Sequence, residues 1–199
     1  MIKSEDRCEE GQSPYDRKRP WYLEALTYLV IIAAVMVVSL VIRQFVISPY
    51  QIPTASMEPT IEIGDCVFAE KVSLTLLDRM PKRGEIVTFV DEREPDITLI
   101  KRVIGTPGDV IDFQEGKLLV NGKIMYEDYT HGKDNIPLDP AAGVEIKYPY
   151  TVPADSLWVM GDNRTNSADS RYFGPVAIKD VNGVAVMRYW PLDRFGAIK

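Results

Sequence analysis

A serine at position 56 lies in a short loop between two prolines, within the stretch Tyr-Gln-Ile-Pro-Thr-Ala-Ser-Met-Glu-Pro-Thr that runs from Tyr50 to Thr60. Pro53 and Pro59 restrict their own φ angles and push the residues before them towards an extended backbone, so we expect a stiff, non-helical loop. A serine hydroxyl becomes a nucleophile only when a base activates it. This stretch alone is equally typical of a surface loop with a capping hydroxyl. The rest of the chain must therefore supply the base.

Two side chains are candidates for that base. The only histidine, His131, lies in an irregular segment, where a Ser-His-Asp triad would have to use it; the alternative is a solvated loop histidine. Lys101 lies in Thr-Leu-Ile-Lys-Arg-Val-Ile-Gly, where strand alternation places either Lys101 or Arg102 on a largely apolar face. Burial and the neighbouring cation would lower the pKa of Lys101 from its ordinary value of about 10.4, and a value of roughly 7 or 8 would suit a base. The alternative is an edge-strand lysine whose ammonium group reaches water.

A dense polar loop occupies residues 160–175 after a predicted strand. In it, Asp169 and Arg171 are suited to an ion pair that would hold Ser167 and Ser170 in place. The alternative is a turn network that satisfies only its own polar groups.

Composition and motifs argue against several functional classes. The net charge of −6 and the isoelectric point near 4.9 lack the basic face that nucleic-acid binding requires, so we expect no nucleic-acid partner. The sequence has no HExxH, no clustered Cys/His spacing, no Walker loop and no glycine-rich dinucleotide fingerprint. We therefore expect no metal and no cofactor.

An uncharged apolar run from Ala25 to Ile42 is long enough to cross a membrane. We predict a cytoplasmic tail over residues 1–20, a transmembrane signal-anchor helix over 21–43 and an extracytoplasmic domain over 44–199. The orientation follows from the positive charges, because Arg17, Lys18 and Arg19 precede the run and only Arg43 closes it. A buried core helix and a cleaved secretory signal are the alternatives.

The chain after Asp65 is rich in β-branched and aromatic runs separated by turn residues. We predict a mainly β fold, in which the transmembrane helix precedes an all-β, mostly antiparallel domain with a small inserted β lobe at about 107–155. Asn121-Gly122 is a strong hairpin signal inside that lobe. The predicted strands span residues 66–71, 85–90, 98–104, 110–114, 117–120, 123–126, 156–160 and 183–189.

Three stretches together resemble one family in the same order along the chain. They are Ser-Pro-Tyr-Gln-Ile-Pro-Thr-Ala-Ser-Met-Glu-Pro-Thr, Ile-Lys-Arg-Val-Ile-Gly-Thr-Pro-Gly-Asp and Gly-Asp-Asn-Arg-Thr-Asn-Ser-Ala-Asp-Ser-Arg. With the apolar anchor before them, they resemble the bacterial type I signal peptidases, also called leader peptidases. That family consists of membrane-bound serine proteases that remove signal peptides from exported preproteins.

The resemblance implies a role for each matching residue. Ser56 matches the nucleophile and Lys101 its general base, while Ser167 would orient the lysine and Asp169 with Arg171 would form a supporting ion pair. The oxyanion hole would consist of the backbone N–H of Ser56 and the hydroxyl of Thr54. Some relatives have serine at the position of Thr54, and the extra methyl group leaves the donor geometry open.

The resemblance also implies the substrate and the place of action. The partners would be secretory preproteins and the lipid bilayer of the plasma membrane, with cleavage after small residues in an Ala-X-Ala pattern. Ser56 follows Arg43 by thirteen residues, which limits its reach from the membrane surface to about 45 Å. The positions that match pocket-lining residues, and that equally suit a plain core, are Tyr50, Ile52, Ile61, Val67 and Ile100.

Two other functions stay open at this point. A self-cleaving Ser-Lys protease of the repressor type would have a similar catalytic domain, but it would be soluble and carry a DNA-binding module. A catalytically inactive, membrane-tethered β domain could instead act as a binding partner. The sequence leaves the oligomeric state unknown.

Overall fold

The structure, a computed structural model, describes residues 20–91 and 93–198. The predicted tail over residues 1–20 therefore lies outside the described residues, except for Pro20. The chain divides into two units, with the boundary between Val41 and Ile42.

Helix α1 runs from Trp21 to Phe45. It accounts for almost all of the described residues of the first unit, and its last residues belong to the second. The helix is two residues longer than predicted, and none of its side chains is buried. Its length and apolar composition suffice to cross a membrane, and no other helix in the described residues meets that criterion.

The regular structure of the second unit is mainly antiparallel β, which confirms the predicted fold class. Two short helices, α2 (Val72–Thr75) and α3 (Ser170–Phe173), connect strands. The strands in chain order are β1 (Ile47–Gln51), β2 (Cys66–Glu70), β3 (Ile86–Asp91), β4 (Glu94–Gly105), β5 (Val110–Gln114), β6 (Lys117–Val120), β7 (Lys123–Ile124), β8 (Tyr150–Thr151), β9 (Ser156–Met160), β10 (Val176–Ala177), β11 (Val181–Trp190) and β12 (Gly196–Ala197).

In the described residues these strands form two antiparallel sheets. The larger has the order β1-β2-β11-β3-β4-β9-β10, with β12 also paired to β11. The smaller has the order β7-β6-β5-β8, and its strands lie within the range 107–155 for which a lobe is predicted. Asn121 and Gly122 both have positive φ and form the predicted turn between β6 and β7.

The core that supports the larger sheet lies directly under the Ser56 loop. Met57 and Ile61 from that loop are fully buried and belong to one cluster with Ile52, Val67 and Ile100. A large apolar side chain contributes about 1.5–3 kcal/mol when it is fully buried. The loop that carries Ser56 is therefore anchored by its own apolar residues, and its backbone position depends on the sheet beneath it.

The prediction of a non-helical loop around Ser56 is wrong in part. Ala55, Ser56 and Met57 form a single 3₁₀ turn, and the Glu58 N–H donates to the Ala55 carbonyl across 3.2 Å. The prolines still limit this turn, because Glu58 before Pro59 is extended, with φ −65° and ψ 141°. One helical turn is what fits between the two prolines.

Candidate active site

Lys101 and Ser56 meet beneath the surface of the larger sheet. Lys101 Nζ lies 2.7 Å from Ser56 Oγ, although 45 residues separate them in the chain. Both residues are buried, with 3% of Lys101 and 8% of Ser56 exposed. Strand β4 carries Lys101 and the 3₁₀ turn carries Ser56, so the serine hydroxyl has an amine directly beside it.

Burial lowers the pKa of Lys101 from 10.5 to about 8, while the carboxylates of Asp169 and Asp162 act in the opposite direction. The direction is the one expected from the sequence, and the value is one that suits a base. The expected contribution from the neighbouring cation, Arg102, is not among the causes, because that guanidinium is paired with the carboxylate of Asp162. A substantial fraction of Lys101 is thus neutral near pH 8 and able to accept a proton.

Asn163 holds the backbone of the Ser56 turn from the polar loop. Its side-chain Nδ2 donates to the Ala55 carbonyl across 2.9 Å, and its backbone N–H donates to the Ser56 carbonyl across 3.1 Å. No local sequence pattern indicates these contacts, since more than a hundred residues separate the partners.

Asp169 and Arg171 form a fully buried, bidentate ion pair, with N–O distances of 2.9 and 2.8 Å. Asp169 also accepts the backbone N–H of Gly161 across 3.0 Å, and Ser170 Oγ accepts the N–H of Val159. Because the carboxylate is used by both the arginine and the backbone, the pair fixes the shape of the polar loop.

Ser167 lies beside Gly161, close to the Ser56 carbonyl. Its Oγ is buried and has no hydrogen-bond partner among the described residues, so the structure contains no hydrogen bond between Ser167 and Lys101. A buried hydroxyl without a partner is costly in free energy. The orienting role implied by the resemblance remains a prediction.

Arg102 and Asp162 form a second buried ion pair that sequence reasoning missed. The Arg102 guanidinium donates to both oxygens of Asp162, across 2.8 and 2.7 Å, and lies 4.0 Å from the centre of the Tyr129 ring. Asp162 also accepts the Thr60 hydroxyl across 2.6 Å. This pair therefore ties strand β4 to the polar loop and to the end of the Ser56 loop. No local pattern could show it, because the two residues are sixty positions apart.

A groove of about 90 Å³ opens beside Ser56 and Lys101, which we call the dyad. It lies between the end of β1 and strand β4. Thr54, Ser56 and Lys101 line it together with three of the predicted pocket residues, Tyr50, Ile52 and Ile100. Residues that the sequence did not indicate complete the lining: Gln51, Pro53, Thr88, Ile97, Thr98 and Leu99.

The other two predicted pocket residues, Ile61 and Val67, have no exposed surface and are not among those that line the groove. They belong to the core cluster beneath it, because their side chains pack against Ile52 and Ile100. Thr54 is exposed at the rim, and its hydroxyl makes no capping hydrogen bond to the 3₁₀ turn.

His131 does not take part in this arrangement. It is exposed in a left-handed turn with φ 51°, and no hydrogen bond joins it to Ser56 in the part of the chain that the structure describes. The solvated-loop alternative therefore holds for His131. The geometry supports a serine nucleophile with a lysine base.

The chain as a whole is similar to several known proteins. The chain matches the family described as "Signal peptidase, peptidase S26" over residues 24–190. It is 38% identical over 170 residues to signal peptidase I of Leptolyngbya laminosa, which covers 82% of this chain and 78% of the relative. It is 39% identical over 169 residues to the probable signal peptidase I-2 of a Synechocystis strain, a match that covers 82% of this chain and 72% of the relative. A crystal structure of a signal peptidase I from Enterococcus faecalis is 31% identical, covers 53% of this chain and 97% of that one, and has a TM-score of 0.41.

Proposed function

Since this chain belongs to the signal peptidase family, peptidase S26, and is therefore a serine endopeptidase that removes signal peptides, we propose that Ser56 is its nucleophile and Lys101 its general base. The observation that carries this proposal is the 2.7 Å contact between Lys101 Nζ and Ser56 Oγ in a buried setting. A nucleophilic hydroxyl needs a base at this distance, and a buried lysine can supply it near neutral pH.

In the acylation step, neutral Lys101 takes the proton of Ser56 as Oγ attacks the scissile carbonyl carbon. The carbonyl oxygen becomes an oxyanion, and the Lys101 ammonium then gives its proton to the leaving amine. The C–N bond breaks, the mature protein departs with a free amino terminus, and the signal peptide stays attached to Ser56 as an ester.

The oxyanion needs donors that are already in place. We assign this role to the backbone N–H of Ser56 and the hydroxyl of Thr54. The Thr54 hydroxyl makes no capping hydrogen bond to the 3₁₀ turn, and its residue lines the groove, which supports the second assignment. Removing one such donor typically costs about 3–4 kcal/mol of transition-state stabilisation.

Deacylation repeats the same chemistry with water. Lys101 takes a proton from a water molecule that attacks the ester carbonyl, and Ser56 recovers its proton as its oxygen leaves. This chain's own residues therefore provide every proton transfer that the two steps require.

The substrate would bind in the groove as an added strand and be cut after small residues in an Ala-X-Ala pattern. The pairing of β4 supports this binding mode. Strand β9 pairs with β4 only from Arg102 onwards, and among the described residues no strand pairs with that side of β4 at Leu99 or Ile100. Backbone groups there remain available to a peptide. The small, apolar groove suits short side chains.

The helix anchors the protein in a membrane, and we propose that the amino terminus is cytoplasmic and the domain from residue 44 is extracytoplasmic. The positive charges before the helix, at Arg17, Lys18 and Arg19, support that orientation. In the plasma membrane, the dyad would then face the side on which an exported preprotein emerges.

The test is the cleavage of a preprotein by the detergent-solubilised full chain, with a metal chelator present throughout. Wild type should cut after the small-X-small site, while Ser56→Ala and Lys101→Ala should lose nearly all activity. Mass spectrometry of the products identifies the cleaved bond. Activity retained in either variant would refute the assigned residues.

A further inference from the structure

We infer that Lys133 is a positioning residue for the nucleophile, acting through Asn163 on the backbone of the Ser56 turn. Lys133 lies in the excursion, which we define as residues 125–149 between β7 and β8. The inference rests on the proposed role of Ser56. It assigns to the excursion a part in catalysis that its irregular sequence does not indicate.

Two hydrogen bonds through the side chain of Asn163 connect Lys133 to the turn, and the backbone of Asn163 adds a third contact with it. Lys133 Nζ donates to Asn163 Oδ1 across 2.5 Å, the Asn163 side chain donates to the Ala55 carbonyl, and its backbone N–H donates to the Ser56 carbonyl. The ammonium can only donate, so it requires the amide oxygen to face it. The amide nitrogen is then directed at Ala55. The charged donor thereby sets the orientation on which the contact with the turn depends.

The excursion is held on both sides of Lys133. Before it, Glu127 accepts two hydrogen bonds from the fully buried Arg164, across 2.6 and 2.7 Å. After it, the Ile136 carbonyl accepts from Arg171 across 3.1 Å. Lys133 is therefore presented to Asn163 from a segment that the polar loop already fixes.

Lys133 would act by holding the Ser56 turn in position, and not by changing the pKa of Lys101. It is not among the groups that shift the pKa of Lys101, which are Asp169 and Asp162. Without Lys133, the amide of Asn163 loses its fixed orientation and the turn loses part of its support. A nucleophile displaced by about 1 Å can cost on the order of a hundredfold in rate.

The experiment compares Lys133→Met and Lys133→Arg with wild type in preprotein cleavage by the full chain in detergent. Lys147→Met is the matched control, because Lys147 lies exposed in the same excursion and makes no hydrogen bond or ion pair with a described residue. We expect Lys133→Met to lower kcat by about tenfold or more with KM nearly unchanged. Lys133→Arg should recover much of the loss. Both Lys133 variants should have the same thermal unfolding midpoint as Lys147→Met and the same pH midpoint of activity.

A double-mutant cycle with Asn163→Ala tests the path of the effect. Because Lys133 acts only through the Asn163 side chain, adding Lys133→Met to Asn163→Ala should lower kcat little further. The inference would be overturned if the losses of kcat in Lys133→Met and Asn163→Ala multiplied in the double variant, or if Lys133→Met had the same kcat as Lys147→Met. It would also be overturned if both Lys133 variants lost activity only in step with a lower thermal midpoint. Failure of the dyad is distinguishable, because Ser56→Ala or Lys101→Ala would then remain active whatever the Lys133 variants do.

Discussion

Lys101 and Arg102 are adjacent on one strand, and both are almost completely buried, yet their side chains have opposite kinds of partner. Arg102 is paired with the carboxylate of Asp162, whereas Lys101 contacts the hydroxyl of Ser56 and has no salt-bridge partner among the described residues. A buried cation paired with a carboxylate stays charged. An amine left with only a hydroxyl can lose its proton. This difference separates the structural cation from the candidate base.

Replacing Lys101 by methionine should remove a pH-dependent cost to stability. The folded protein lowers the pKa of Lys101 to about 8, so between pH 8 and 10.5 the unfolded chain holds a proton that the folded chain has released. Wild-type stability should therefore rise relative to Lys101→Met by about 3 kcal/mol across that window. Urea unfolding of both full-length proteins in detergent measures it. An unchanging difference from pH 7 to 11 would show that the pKa is not lowered.

Thr54→Ala should lower kcat by about a hundredfold to a thousandfold, with little change in KM, because an oxyanion donor acts mainly in the transition state. Thr54→Ser keeps the hydroxyl and should retain most of the activity. Steady-state cleavage of one preprotein by the three proteins measures both constants. An alanine variant within threefold of wild type would exclude the hydroxyl as a donor.

Gly161→Ala should inactivate the enzyme more than it unfolds it. A Cβ at residue 161 would overlap the Ser56 carbonyl oxygen and the Ser167 side chain, so the nucleophile or its neighbour must move. We expect roughly a hundredfold loss of kcat and a loss of about 1–3 kcal/mol in the free energy of unfolding. Adding Ser167→Ala should not restore activity, because the clash with the Ser56 carbonyl remains. Recovery in that double variant would place the conflict at Ser167 alone.

Much of the fold can be predicted from the sequence, because its signals are local. Strands β5, β6 and β9 have the predicted bounds, and the apolar run is a helix close to its predicted limits. Strand β1 was missed because Pro49 removes a ladder donor. As an edge strand, β1 tolerates this loss. The two-residue strands β8, β10 and β12 were missed because they are too short to show an alternation.

In the candidate site, too, the features that depend on local sequence could be predicted and those that depend on distant packing could not. Strand alternation predicts that either Lys101 or Arg102 lies on an apolar face, and the ion pair of Asp169 with Arg171 can be predicted because its members are two residues apart. The pairing of Arg102 with Asp162 and the contacts of Asn163 depend on how distant segments pack, which no local pattern carries. The core position of Ile61 and Val67 likewise depends on depth, since pocket and core require the same side chains.

The most direct measurement is the rate at which excess enzyme releases the mature protein in a single turnover, followed from pH 5 to pH 10. Release reports acylation, in which neutral Lys101 takes the proton of Ser56. We predict a rate that rises with pH through a midpoint near 8, the pKa that burial gives to Lys101, and no release by Lys101→Met or Ser56→Ala. A rate independent of pH, or a rate that still rises at pH 10 without levelling off, as the ordinary lysine pKa of about 10.4 would require, would contradict the role of Lys101 as the base.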